Sequence, residues 1–128
     1  MKLLLDSHLL LWAAEGSKRL KPQARRLIAN AGNEKFFSAA SLWEMTIKLG
    51  LGRDDFQVDI AGLRRGLLGN SYRELPVRGD HAMFVASLPP IHEDPFDRML
   101  IAQATLEGMT LLTADPIVAQ YAGPVRMV

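Results

Sequence analysis

The sequence has no cysteine. That absence excludes disulfides, thiolate zinc sites, iron–sulfur clusters and cysteine nucleophiles together. Aromatic residues make up only 7% of the chain. No long apolar run exists: the longest, Leu9 to Ala14, is far short of the roughly 20 residues that span a bilayer. Met1-Lys2 is followed by only three leucines before Asp6, so no secretory signal is expected. An excess of either charge is missing too. Fifteen Lys+Arg against 14 Asp+Glu leave a net charge of +1, which argues against a basic DNA-coating module and against an acidic tail protein. What is present is a 48% hydrophobic share in 128 residues, too apolar for disorder and long enough to bury roughly two thirds of its unfolded surface. The expectation is one soluble cytoplasmic domain over residues 1–128, with no membrane association.

Strand-like and helix-like segments alternate. Lys2 to Leu5 is a short apolar run ending in an acid, and Ser7 to Glu15 reads as a helix. A second helix begins at Pro22 and a second strand covers Lys35 to Ala39. Helices are expected at Ser41 to Leu49 and Asp59 to Leu68, then a strand at Tyr72 to Val77 and a helix at Asp80 to Leu88. Pro95 to Glu107 is helical, Met109 to Thr113 a strand, Pro116 to Tyr121 a short helix, and Val125 to Val128 a last strand. Strands separated by helices predict an α/β domain with a four- to five-stranded, mainly parallel sheet flanked by helices.

Acids follow the apolar runs repeatedly. Asp6 closes the first run, Glu44 and Asp97 lie in first helical turns, and Asp115 follows Leu111-Leu112-Thr113. Open parallel sheets bind ligands outside the carboxyl ends of their strands. A helix from Asp97 to Gly108 runs roughly 17 Å out, and the following strand returns a similar distance. Asp97 and Asp115 should therefore share one edge. The same sum brings Glu44 there. Each acid alone also reads as a cap. Asp6 or Ser7 caps the first helix, Ser41-x-x-Glu44 is a capping box, and Asp115-Pro116 is a cap followed by proline. Asp94 reads simply as the cap of the helix beginning at Pro95. Four acids on one edge are another matter, because like charges held close disfavour ionisation. A divalent cation resolves that cost, and all-oxygen donors suit Mg²⁺ or Mn²⁺ rather than zinc.

The stretches LLLDSHLLLW (3–12), SAASLWEMTIKLGLG (38–52), LPPIHEDPFDRMLIAQA (88–104) and LLTAD (111–115) span nearly the whole chain. In that order they resemble the PIN-domain ribonucleases of the VapC type, the toxins of bacterial toxin–antitoxin pairs. The resemblance implies the PIN fold and Mg²⁺- or Mn²⁺-dependent endonucleolytic cleavage of RNA, leaving a 5′-phosphate and a 3′-hydroxyl. It carries catalytic and metal-binding roles onto Asp6, Glu44, Asp97 and Asp115. Asp6 and Asp97 are expected as the most direct ligands, with Asp115 completing the site and Glu44 acting partly through water. Thr113 matches a small hydroxyl residue frequent two positions before the family's last acid. The resemblance further implies a cognate antitoxin and a homodimer. The excess apolar residues Leu9, Leu10, Leu11 and Trp12 offer a surface for either.

Substrate contact is assigned to Thr113, Arg98 and Lys48. Two of them have a plainer reading: Arg98 pairs with acids or faces solvent, and Lys48 forms an i,i+4 pair with Glu44. The basic stretch Lys18, Arg19, Lys21, Arg25 and Arg26 reads chiefly as a solvated helix face. His8 and His92 sit close to the proposed edge in sequence and could touch RNA or a partner, although a lone histidine in a loop or first turn is usually neither ligand nor base. A non-catalytic PIN-like module binding RNA or protein is the alternative. A receiver-like domain fits poorly, since Asp6 is followed by Ser7 and no lysine occurs after Lys48. A DxD phosphatase fails because position 8 is His8.

Overall fold

A computed structural model describes residues 1–52 and 57–128. Five strands form one sheet: β1 (Lys2–Leu5), β2 (Glu34–Ser38), β3 (Tyr72–Leu75), β4 (Thr110–Thr113) and β5 (Val125–Met127). Their order is β3-β2-β1-β4-β5, and every pairing is parallel. Parallel neighbours require crossover connections. These are α1 (Ser7–Glu15) with α2 (Pro22–Ala29), α3 (Ala39–Gly50) with α4 (Ile60–Gly69), and α5 (Gly79–Phe84) with α6 (Pro95–Glu107).

The central strand explains its own sequence. Leu3, Leu4 and Leu5 are all fully buried, as expected for a strand covered on both faces, so the run is apolar without alternation. Side-chain direction still alternates. Leu3 and Leu5 join Phe37 and Leu112 against Leu9, Leu10, Ala24 and Leu67 of α1, α2 and α4. Leu4 joins Phe36 and Leu111 against Leu100, Ile101 and Ala104 of α6, with Val118 and Tyr121. Because all strands run the same way, Leu5, Ser38, Leu75 and Thr113 end at one edge, and α1 and α3 begin there.

Local chemistry shifts several expected boundaries. The helix after β2 starts at Ala39, because Ser38 Oγ accepts from the Ala40 N–H at 3.0 Å. Ser41 therefore lies inside α3, and the expected Ser41–Glu44 capping box does not form. The Asp80 to Leu88 helix divides into α5 and a 3₁₀ turn at Val85–Ser87, whose first carbonyl is taken by Arg98. The Pro116 to Tyr121 helix reduces to a 3₁₀ turn at Val118–Gln120. There Asp115 Oδ1 accepts from the Ile117 N–H at 2.8 Å, favouring a turn, and Gly123-Pro124 follows too closely for a helix to propagate. Gly108, with φ of +66°, closes α6 in a left-handed cap that L side chains rarely adopt.

Candidate functional site

The sheet order reverses at β1, whose neighbours β2 and β4 are reached on opposite sides. Ligand crevices form at such switch points. Asp6 follows β1 and Asp115 follows β4, so both stand at this one. Asp6 is 4% exposed. Its Oδ1 caps α1 by accepting from the Leu9 N–H at 2.9 Å, and its Oδ2 accepts from Thr113 Oγ1 at 2.6 Å. The first helix is thus capped by Asp6 rather than Ser7. Burial pushes the Asp6 carboxyl above its ordinary range, and the Thr113 and Leu9 hydrogen bonds pull it back only in part.

Thr113 is fully buried and links two acids, since its Oγ1 also accepts from the Asp115 N–H at 3.0 Å. Ser7 makes the matching link on the other side. Its hydroxyl donates to Glu44 Oε1 at 2.7 Å, while Glu44 Oε2 lies 3.4 Å from Lys48 Nζ. The i,i+4 pair expected for Lys48 is therefore present, and the ammonium is partly exposed beside the acids.

Asp97 lies in the first turn of α6. Asp94 caps that helix, its Oδ1 accepting from the Phe96 N–H at 2.8 Å and the Asp97 N–H at 3.2 Å. Burial raises the Asp97 carboxyl to about 6, helped by the negative charges of Asp94 and Glu44 and opposed by His92. His92, which the sequence placed near the edge without a role at the acids, meets two of them. Its Nε2 is 2.8 Å from Asp97 Oδ2 and 4.0 Å from Asp115 Oδ2. The available signal was its position in a loop bracketed by Pro89-Pro90 and Pro95, five residues ahead of Asp97.

Among the described residues, Arg98 forms no ion pair with an acid, and it is half-buried rather than free in solvent. Its guanidinium donates to the carbonyls of Val85, Leu88, Pro89 and His92 and to the Tyr121 hydroxyl. Arg25, from the basic stretch, likewise holds the carbonyls of Leu20 and Ser17.

The four expected acids therefore ring one strand edge, joined through Ser7, Thr113 and His92. They do not close equally. Among the described residues, the set whose donor atoms all lie within 4.8 Å of one another is His92, Asp94 and Asp97. Asp115 Oδ2 stands 4.0 Å from His92 Nε2, while Asp6 and Glu44 are tied to the edge through Thr113 and Ser7. The donor chemistry fits a hard divalent cation, since carboxylate oxygens prevail at this edge; burial is the main reason that the Asp6 and Asp97 carboxyls hold their protons more tightly than usual.

An acid-lined edge on a five-stranded parallel sheet defines an α/β domain built to gather carboxylates at the carboxyl ends of its strands. The chain belongs to the PIN-domain family, whose model matches residues 3–124. It is similar in fold to VapBC2 from Rickettsia felis bound to a promoter DNA fragment, at 12% identity and a TM-score of 0.70, over 99% of this chain and 98% of that one. It is also similar to DNA-bound VapBC from Salmonella typhimurium, at 14% identity and a TM-score of 0.68, over 100% and 97% of the two chains. A toxin–antitoxin complex from Klebsiella pneumoniae matches at 17% identity and a TM-score of 0.63, over 97% and 95%. No curated protein matches the chain in sequence. The resemblance carried by the four sequence stretches is thus borne out in family and fold. Among the described residues, no helix is long and apolar enough to cross a membrane.

Proposed function

We propose that the protein is a divalent-metal-dependent endoribonuclease and the toxin of a toxin–antitoxin pair. The convergence of Asp6, Glu44, Asp97 and Asp115 on one strand edge of a PIN domain carries this reading. Asp6, Asp97 and Asp115 are the residues to hold Mg²⁺ or Mn²⁺, with Glu44 contributing partly through water. A bound cation would supply an acidified water and neutralise charge on the scissile phosphate. The chain itself orients the donors. Thr113 fixes Asp6 Oδ2, Ser7 fixes Glu44 Oε1, and Lys48 leaves a cation at the rim where an RNA phosphate would approach.

Two surfaces support the protein partners. An open cleft of about 900 Å³ runs between the end of α1, α2 and α4, lined by Ala13, Leu20, Ile28, Leu63, Leu67 and Tyr72. It suits an apolar antitoxin segment. Leu9 and Leu10 belong wholly to the core. On the outer face of α3, Trp43 and Ile47 are exposed four residues apart, and exposed Leu51 follows just past the helix end, an apolar stripe that favours a second copy.

The test is RNA cleavage with Mg²⁺ by purified wild type, Asp6→Asn and Asp115→Asn, each checked for folding. Loss of at least about 100-fold in rate is expected for both variants. Undiminished cleavage by both would leave a non-catalytic module as the better description.

A further inference from the structure

We propose that His92 is a positioning residue for the Asp97 carboxylate, aimed by a clamp of Arg98 and Tyr121, and that it sets the affinity of the site for its divalent cation. This rests on the nuclease reading above and adds a residue and a loop to it.

The clamp is built from buried and multiply bonded groups. Tyr121 is 4% exposed, and its hydroxyl accepts from the His92 backbone N–H at 2.9 Å. Arg98 Nη1 donates to that hydroxyl at 3.1 Å and to Pro89 O at 3.0 Å. Arg98 Nη2 reaches Val85 O at 3.0 Å. A planar guanidinium can satisfy carbonyls arriving from several directions in one plane, whereas a lysine ammonium is a single point with three donors. The loop before α6 is therefore tied at its start, middle and end to one arginine on α6 and one tyrosine after β4.

The clamp fixes where the imidazole goes. The His92 side chain is 17% exposed, and its Nε2 meets Asp97 Oδ2 at 2.8 Å. An ionised carboxylate only accepts, so Nε2 carries the proton in this contact. Asp97 Oδ2 is then held, and Oδ1 makes no hydrogen bond among the described residues. One oxygen is oriented and the other is left for a cation. Ligating carboxylates are commonly held by such partners, and losing one typically costs 10- to 100-fold in metal affinity. Direct ligation by His92 is the less favoured geometry. Its Nε2 is already bonded to Asp97, and Asp94 Oδ1 is occupied by two N–H groups of the α6 cap.

The experiment titrates Mn²⁺ into the full chain and follows it by electron paramagnetic resonance, with metal-free thermal unfolding as the folding control. His92→Ala should weaken Mn²⁺ binding 10- to 100-fold, and raising Mn²⁺ should restore its RNA cleavage. His92→Gln, whose amide offers an N–H at similar reach, should bind near the wild-type level. Tyr121→Phe should fall between them. Wild-type Mn²⁺ affinity in His92→Ala overturns the proposal. So does a His92→Gln loss as large as that of alanine, with loss of nitrogen hyperfine coupling marking direct ligation instead. Failure of the nuclease reading looks different: wild type cleaves no RNA, and Asp97→Asn leaves Mn²⁺ binding unchanged.

Discussion

Thr113→Val removes one hydroxyl and nearly nothing else, at a site with no solvent exposure. That hydroxyl donates at 2.6 Å to Asp6 Oδ2 and accepts at 3.0 Å from the Asp115 N–H. A hydrogen bond to a charged carboxylate contributes about 1.5–3 kcal/mol, and the stranded N–H adds about 1 kcal/mol. The extra buried methyl returns about 0.8 kcal/mol. The net loss is about 2–3 kcal/mol. Unfolding entropy near 2.1 cal/mol/K per residue turns this into a Tm drop of roughly 7–11 °C for a chain of this length. Thr113→Ser keeps the hydroxyl and should lose only about 1 kcal/mol. The deficit should also depend on pH. Thr113 is the strongest influence opposing the burial that raises the Asp6 carboxyl, and its bond is strongest to the ionised form. As pH falls and Asp6 takes up a proton, the gap between wild type and Thr113→Val should narrow. Metal-free urea denaturation at pH 7.5 and pH 5 measures both effects. A deficit under about 0.5 kcal/mol at pH 7.5, or one that widens at pH 5, would refute the claim that Thr113 holds a charged Asp6.

Asp97 rises from 3.8 to about 6 on folding, so the folded chain binds this proton more tightly than the unfolded chain. The resulting stability is fully present below pH 4 and is lost as pH rises through about 6. It amounts to about 1–2 kcal/mol after solvent screening, with Asp6 acting in the same direction. Metal-free protein should therefore melt higher at pH 5 than at pH 7.5, Mn²⁺ should reverse the order, and Asp97→Asn should flatten the metal-free difference. Among the described residues, the buried Ser41 Oγ in α3 has no partner, so Ser41→Ala should be neutral or stabilising by up to about 1 kcal/mol in the same assay. A loss above 1 kcal/mol would mean that the hydroxyl has a partner.

The fold was legible where burial follows the chain's own period. Leu3-Leu4-Leu5 and Leu111-Leu112 read as strands because they are short apolar runs set between helical segments, and Gly108 and Pro95 marked the ends of α6. The acids were legible as a set because a parallel sheet delivers every strand end to one edge. What the sequence concealed depends on contacts between distant segments. Ser41-x-x-Glu44 has the spacing of a capping box, but Ser38 captures the helix start three residues earlier because β2 ends there. Arg98 beside Asp97 suggested a phosphate contact. Its acceptors are carbonyls up to 13 residues away and a tyrosine beyond β4, none visible as a local pattern. His92 was noticed as lying near the edge, but its bond to Asp97 was not legible, since it depends on a loop held by Arg98 and Tyr121.

The four acids also differ in how cleanly they can be tested. Both oxygens of Asp6 are bonded, one to the cap of α1 and one to Thr113. Asparagine can still cap a helix with its oxygen. Its amide nitrogen would then face Thr113 Oγ1, forcing a buried hydroxyl that now donates to give up its acceptor. Asp6→Asn should therefore lose stability and cleavage together. Asp115 is half-buried, and among the described residues only its Oδ1 makes a hydrogen bond, to Ile117 N–H. Its Oδ2 faces the site 4.0 Å from His92. Asp115→Asn should keep the turn, since an asparagine oxygen accepts from the same N–H. Equal loss of cleavage in the two variants, with a stability deficit in Asp6→Asn alone, would separate the chemistry at this edge from the packing beneath it. Cleavage that instead tracked stability across the pair would mean that the acids matter here as caps.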